Sequence, residues 1–240
     1  MRVLSIGNSF SEDAQRYLNR LAKHNGEELL TVNLMIGGCS LETHYNKMIS
    51  GENSYMLEVN GEVTGIWVNF MQVVGCGNWD VVTIQQASHD SFKWDTFYPY
   101  ANKIIGCVRQ CNPNAKIYVH ETWAYEDGSE RLREVAKLDT AKEMTSKIQE
   151  CYRSMAKDIC ADGVIPSGTA MQKAADLGLK AHRDTFHASL GAGRYLIALC
   201  WYKRIFGKDI SSDTFNEFDV PVSESEKEIV KKAVNYAFGE

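Results

Sequence analysis

The chain has 240 residues, 44% of them hydrophobic and 24% charged, with 26 basic against 31 acidic side chains and a formal net charge of −5. A chain this long buries roughly 70–75% of its unfolded surface, so its core needs no disulfide or metal staple. The acidic balance, with a pI near 5.7, gives no global pull on phosphate backbones and argues against nucleic acid as a partner. Seven scattered cysteines without a C-x-x-C pair exclude a disulfide framework and a structural zinc site, and are expected to be reduced and mostly buried. No apolar run approaches the 18 or more residues of a membrane span. No membrane partner is therefore expected, and the location is expected to be cytoplasmic, or secreted if a leader has been removed.

In chain order, Val3-Leu4-Ser5-Ile6 is a short β-rich run closed by Gly7, followed by Ala14, Tyr17, Leu18, Leu21 and Ala22 at helical spacing. Leu29 to Ile36 repeats the grammar, ending in Gly37-Gly38 before a helix opened by Ser40. Residues 55–70 interrupt it with two β-rich runs around Asn60-Gly61, the dipeptide of tight hairpin turns, which predicts an inserted surface hairpin. Strands are then expected at Asp80 to Ile84, Lys116 to His120 and Gly163 to Ile165. Helices are expected up to Cys111, over a long amphipathic stretch from about Ser129 to Ala161, from Pro166 to Leu177, from Ser189 to Phe206 and from Ser223 to Phe238. Strands alternating with helices imply an α/β protein of three layers, α/β/α, with a doubly wound sheet of about five parallel strands. No linker separates two halves, so residues 1–240 are read as one domain with the hairpin inserted.

In a doubly wound sheet, ligands bind beyond the carboxyl ends of the strands. The loop after the first strand, Gly7-Asn8-Ser9-Phe10-Ser11, places a serine hydroxyl at a helix start, where a nucleophile finds backbone N–H donors and where a plain helix cap would also sit. It lacks the spacing and lysine of a Walker loop and the second glycine of a G-x-S-x-G elbow. Gly37-Gly38 can bring a backbone amide close to a developing anion. Gln85-Gln86 ends a buried strand with side-chain amides able to donate. In Asp184-Thr185-Phe186-His187 the carboxylate is three residues before the imidazole, a spacing that lets it fix the ring tautomer. His120-Glu121 lacks the second histidine of a zinc motif, so no metal is expected. Glu121 and Trp123 are expected to line the pocket, with Trp94, Tyr98 and Tyr125 as further aromatic faces for a sugar ring.

These blocks, in this order, resemble the SGNH (GDSL-type) hydrolase superfamily over essentially the whole chain. Gly7 to Ser11 resembles its first block, Ile36 to Ser40 its second and Asp184 to His187 its last. The opening G-N-S-F-S and Thr122-Trp123-Ala124-Tyr125 look most like the uncharacterised bacterial DUF4886-like branch, often associated with carbohydrate esterases. The resemblance implies a flavodoxin-like sheet and a cofactor-free serine esterase acting on a small-molecule or saccharide ester, most readily a carbohydrate O-acetyl ester. It casts Ser9 as nucleophile, His187 as general base, Asp184 as its orienter, and the amides of Ser9 and Gly38 as oxyanion donors. The third block departs from the family, because its Asn falls at Ala87. The role passes to Gln85 or Gln86, with Gln85 preferred as a third donor and Gln86 left as a substrate contact with Glu121 and Trp123. Cys39, next to Gly38, is expected in the pocket. The rival readings are a decayed SGNH-fold carbohydrate-binding or regulatory module and a flavodoxin-like small-molecule binder.

Overall fold

Residues 1–240 are described by a computed structural model, in which the apolar run at the start of the chain becomes the central strand, β1 (Arg2–Gly7). β1 pairs in parallel with β2 (Leu30–Met35) on one side and β5 (Val81–Ile84) on the other. β6 (Lys116–His120) and β7 (Gly163–Ile165) continue the parallel sheet beyond β5. Five parallel strands are therefore present, as expected. The run at 55–70 forms β3 (Tyr55–Val59) and β4 (Glu62–Val68), which pair antiparallel and extend the sheet past β2, giving the order β4-β3-β2-β1-β5-β6-β7. Its turn residues take left-handed backbone, Asn60 at φ 52° and Gly61 at φ 77°, the conformation that Asn-Gly favours.

Side chains alternate across each strand, and the two faces of β1 show it. Val3 joins a cluster with α1 (Ser9–His24), α6 (Ser167–Asp176), α7 (Ala192–Phe206) and α8 (Glu224–Ala237), whereas Leu4 and Ile6 join the opposite cluster with α2 (Leu41–Ser50), α3 (Phe70–Val74), α4 (Tyr100–Cys111) and α5 (Ala141–Asp158). Beneath α1 the sheet is polar. The Gln15 amide and the Thr83 hydroxyl both donate to Ser5 Oγ, and Ser11 donates to Asn33 Oδ1 while Asn33 Nδ2 donates to the buried Glu58 of β3. These buried bonds tie the hairpin and the start of α1 together, because a buried polar group left unpaired is costly.

The long helix expected from 129 to 161 is broken. A π-helical turn spans Leu132–Ala136, Lys137 takes φ 55°, and α5 starts afresh with the Thr140 side chain accepting from the Glu143 N–H. Thr140 and Glu143 have the T-x-x-E spacing that marks a helix start, and that local cap outweighs the continuous apolar periodicity. Not all cysteines are interior: Cys76 and Cys160 are exposed, and all seven are free. No helix is long and apolar enough to cross a membrane.

Candidate active site

The chain passes from β1 to β2 on one side and, after β4, crosses to β5 on the other, so the carboxyl ends of these strands form the crevice where doubly wound sheets bind ligands. The turn out of β1 is tight: a Cβ at Gly7 would lie 2.3 Å from Ser11 Oγ, closer than any side chain tolerates. Asn8 then caps α1, its side chain accepting from the Phe10 N–H at 3.0 Å. As the first residue of the helix, Ser9 has an N–H without an intrahelical acceptor.

The 183–187 loop closes as a small hairpin, with Arg183 N–H donating to the His187 carbonyl and a bridge between His182 and Ala188. It brings His187 Nε2 to 2.9 Å from Ser9 Oγ and His187 Nδ1 to 2.7 Å from Asp184 Oδ2. Because a carboxylate only accepts, Nδ1 carries the proton, which leaves the Nε2 lone pair to accept from the serine hydroxyl. Asp184 Oδ1 also accepts from the His187 N–H at 2.8 Å. Partial burial pushes the Asp184 carboxyl up, but the bonds from the His187 ring and backbone outweigh it and hold the group below its ordinary value. Thr185, a β-branched residue at φ 72°, stores strain in this loop.

Asp13 anchors the arrangement. Fully buried one turn beyond Ser9 on α1, it accepts from Arg183 Nη1, Arg194 Nε and the Ala188 N–H at 2.9, 2.8 and 3.1 Å. The helix carrying Ser9 and the loop carrying His187 are thereby cross-linked by a buried charge cluster. The sequence pattern contains the signal, since Asp13 lies four residues before Tyr17 on an otherwise apolar stripe.

The amide of Gly38 makes no backbone hydrogen bond, and its φ of 63° with open space around a built Cβ shows that conformation, not crowding, selects glycine there. Asn8 Nδ2 donates to the Cys39 carbonyl at 3.1 Å and fastens this loop beside Ser9. Gln85 is not brought to the cleft. Its Nε2 donates to Asn8 Oδ1 at 2.8 Å and its Oε1 lies 2.6 Å from Nδ1 of the buried His120, whose Nε2 lies 3.1 Å from Ser167 Oγ. Gln85 thus holds Asn8 with both ends of its amide bonded and does not line the cleft.

Three more expected contacts lie elsewhere. Gln86 Oε1 accepts from the Leu41 and Ala87 N–H groups, while its Nε2 donates to Thr96. Glu121 accepts from the N–H and hydroxyl of Thr169 in α6, and burial pushes its carboxyl up to about 7 despite those bonds. Trp123 stacks on Phe10 with centroids 4.0 Å apart and donates its indole N–H to the Phe186 carbonyl at 2.7 Å. It supports the His187 loop from below, and Tyr125 is likewise buried. Cys39, expected in the pocket from its place beside Gly38, is instead buried outside the cleft, and desolvation pushes its thiol up to about 12.

The cleft over Ser9 and His187 measures about 370 Å³, and its wall includes Gly38, Ser88, His89, Phe186 and Arg131. Phe186 and Arg131 escaped the sequence reading. Phe186 is visible only as the residue between Asp184 and His187, and Arg131 was hidden within a helix that turned out to be broken.

The chain matches the family DUF4886, a domain of unknown function, over residues 2–237. Among solved structures it is similar to a DUF4886 family protein from Bacteroides uniformis, with 26% identity and a TM-score of 0.90 over 99% of this chain and 94% of that one. It shares a fold with a candidate SGNH hydrolase from Slackia heliotrinireducens (22% identity, TM-score 0.62, 85% of this chain and 98% of that one). The same holds for a candidate GDSL-like lipase from Parabacteroides merdae (14% identity, TM-score 0.59, 86% and 96%). No curated protein matches the sequence. The chain therefore belongs to the DUF4886 family and has the three-layer α/β fold of the SGNH hydrolases.

Proposed function

We propose that the protein is a serine esterase that cleaves small esters, with O-acetyl groups on carbohydrates as the preferred substrate class. The observation that carries this reading is the unbroken path from Ser9 Oγ through His187 to Asp184, with both links within 2.9 Å. Ser9 Oγ attacks the acyl carbonyl as His187 Nε2 takes its proton, and Asp184 stabilises the resulting imidazolium. The N–H groups of Ser9 and Gly38 face the developing oxyanion. His187 then returns the proton to the leaving alcohol, and water releases the acyl group by the same route. The acetyl preference is supported by a small cleft walled mostly by glycines and polar side chains, with Phe10 and Phe186 its only apolar members, which suits a short acyl group better than a lipid tail. The carbohydrate preference rests on the resemblance of the sequence blocks.

The test is covalent labelling. A fluorophosphonate should modify the wild-type protein stoichiometrically at Ser9 and leave Ser9→Ala unlabelled, and His187→Ala should slow labelling at least 10³-fold. An unlabelled wild-type protein that also fails to release p-nitrophenol from its acetate ester would overturn the reading.

A further inference from the structure

No carboxylate lines the cleft beside Ser9, although the chain as a whole carries a net charge of −5. Its wall contains instead a guanidinium without a counter-charge. Arg16, Arg183 and Arg194 each pair with an aspartate. Arg131 pairs with no carboxylate, and its guanidinium carbon lies 3.8 Å from the centroid of Phe186. Phe186 in turn lies 3.8 Å, centroid to centroid, from His187, so a single ring separates the guanidinium from the imidazole.

Stacking on an aromatic face fixes a guanidinium in place while leaving its N–H edge free for a planar oxyanion. Nothing in the chain uses that edge. The charge is also single, because the only other basic side chain in the wall besides His187 is His89, whose Nε2 lies 3.5 Å from the Asp90 carboxylate. One uncompensated, fork-shaped monocation matches a carboxylate, which it can hold in a bidentate pair, better than a phosphate dianion. The break at Lys137 leaves Arg131 on a short turn packed against Phe186 and not on the outer face of a long helix.

We propose that Arg131 selects esters whose alcohol part carries a carboxylate, so that the preferred substrate is an O-acetylated sugar acid of the uronate type. The carboxylate pairs with Arg131 while the ester carbonyl reaches Ser9. This inference rests on the serine-esterase reading and narrows it.

The test compares an O-acetylated methyl glucuronide with the matching O-acetylated methyl glucoside, which differ only in the carboxylate. The wild-type kcat/KM should favour the glucuronide by about tenfold or more, the effect of a charge-assisted bond. In Arg131→Met that ratio should fall about tenfold, and Arg131→Lys, which keeps charge without the fork, should fall between. Binding supplies a readout free of turnover. Titrated calorimetrically with the glucuronide, Ser9→Ala should bind at least about tenfold more tightly than the Ser9→Ala/Arg131→Met double variant. Equal binding by the two, or a wild-type ratio near one, overturns the assignment to Arg131. Failure of Ser9 labelling overturns the esterase reading instead, and the binding titration does not depend on it.

Discussion

Ser9 and Gly38 lie just beyond the ends of neighbouring parallel strands, so the register of β1 with β2, Gly7 opposite Met35, sets the spacing of the two amides proposed to bind an oxyanion. Gly38 reaches its position through left-handed backbone, which costs alanine about 1 kcal/mol. Gly38→Ala should lower stability by about that amount in denaturant unfolding and, by letting the loop relax to negative φ and turn the N–H aside, reduce kcat by at least about tenfold. Gly38→Asn, which tolerates the same backbone, should retain more activity than Gly38→Ala. Equal kcat in Gly38→Ala and wild type would remove this amide from the mechanism. At the residue scale, what was legible in the sequence was local: Asp184 and His187 meet because they are three residues apart in one loop. Gln85 was misassigned because the direction of a buried amide is decided by partners far away in sequence, His120 and Asn8. Nothing in the strand-end dipeptide reveals that both ends of its amide are already bonded.

Among elements, the decisive contact is between α1 and the loop before α7. Ser9 sits on one and His187 on the other, and Asp13 joins them through Arg183, Arg194 and the Ala188 N–H. Removing one partner of such a buried cluster strands the remaining charges, at a cost of about 3–5 kcal/mol. Asp13→Asn keeps the shape and loses the charge, so it should lower the unfolding free energy by about 3 kcal/mol. Held well below its unfolding transition, the variant should also label at Ser9 more slowly with a fluorophosphonate, because the loop no longer fixes His187. Slower labelling with wild-type secondary structure would identify Asp13 as a positioning residue, whereas lost stability with wild-type labelling would make it purely structural. The alternation of strands and helices was readable because hydrophobic period distinguishes the two. The break at 137–140 was not, because the apolar stripe runs through it and only the Thr140 cap marks the restart. That one misread boundary concealed the turn that carries Arg131.

Over the whole molecule, four buried titratable groups set opposing pH dependences. Burial pushes the carboxyls of Glu58 and Glu121 up to about 7 and the imidazoles of His44 and His120 down to about 3. Below pH 4.5 both carboxyls are neutral in either state. As pH rises from 4.5 to 7 the unfolded chain ionises them freely while the folded one resists, so stability is lost over that interval. The histidines act the other way: below pH 6.5 the unfolded chain takes up protons that the folded chain refuses, and stability falls as the solution becomes more acid. Between these limits the two pairs offset each other, which predicts a stability maximum in mildly acid solution. Glu58 has the clearer signature, since its Oε1 is buried without a partner and Asn33 alone donates to Oε2. Glu58→Gln removes an ionisation that opposes folding, so relative to wild type it should gain about 3 kcal/mol between pH 4.5 and pH 8, taking 1.36 kcal/mol per pKa unit. Guanidinium unfolding of both proteins at pH 4.5, 6 and 8 measures it. Parallel curves at all three would mean that Glu58 ionises in the folded protein as easily as in water. In that case the polar layer linking β3, β2 and the start of α1 would have to admit solvent.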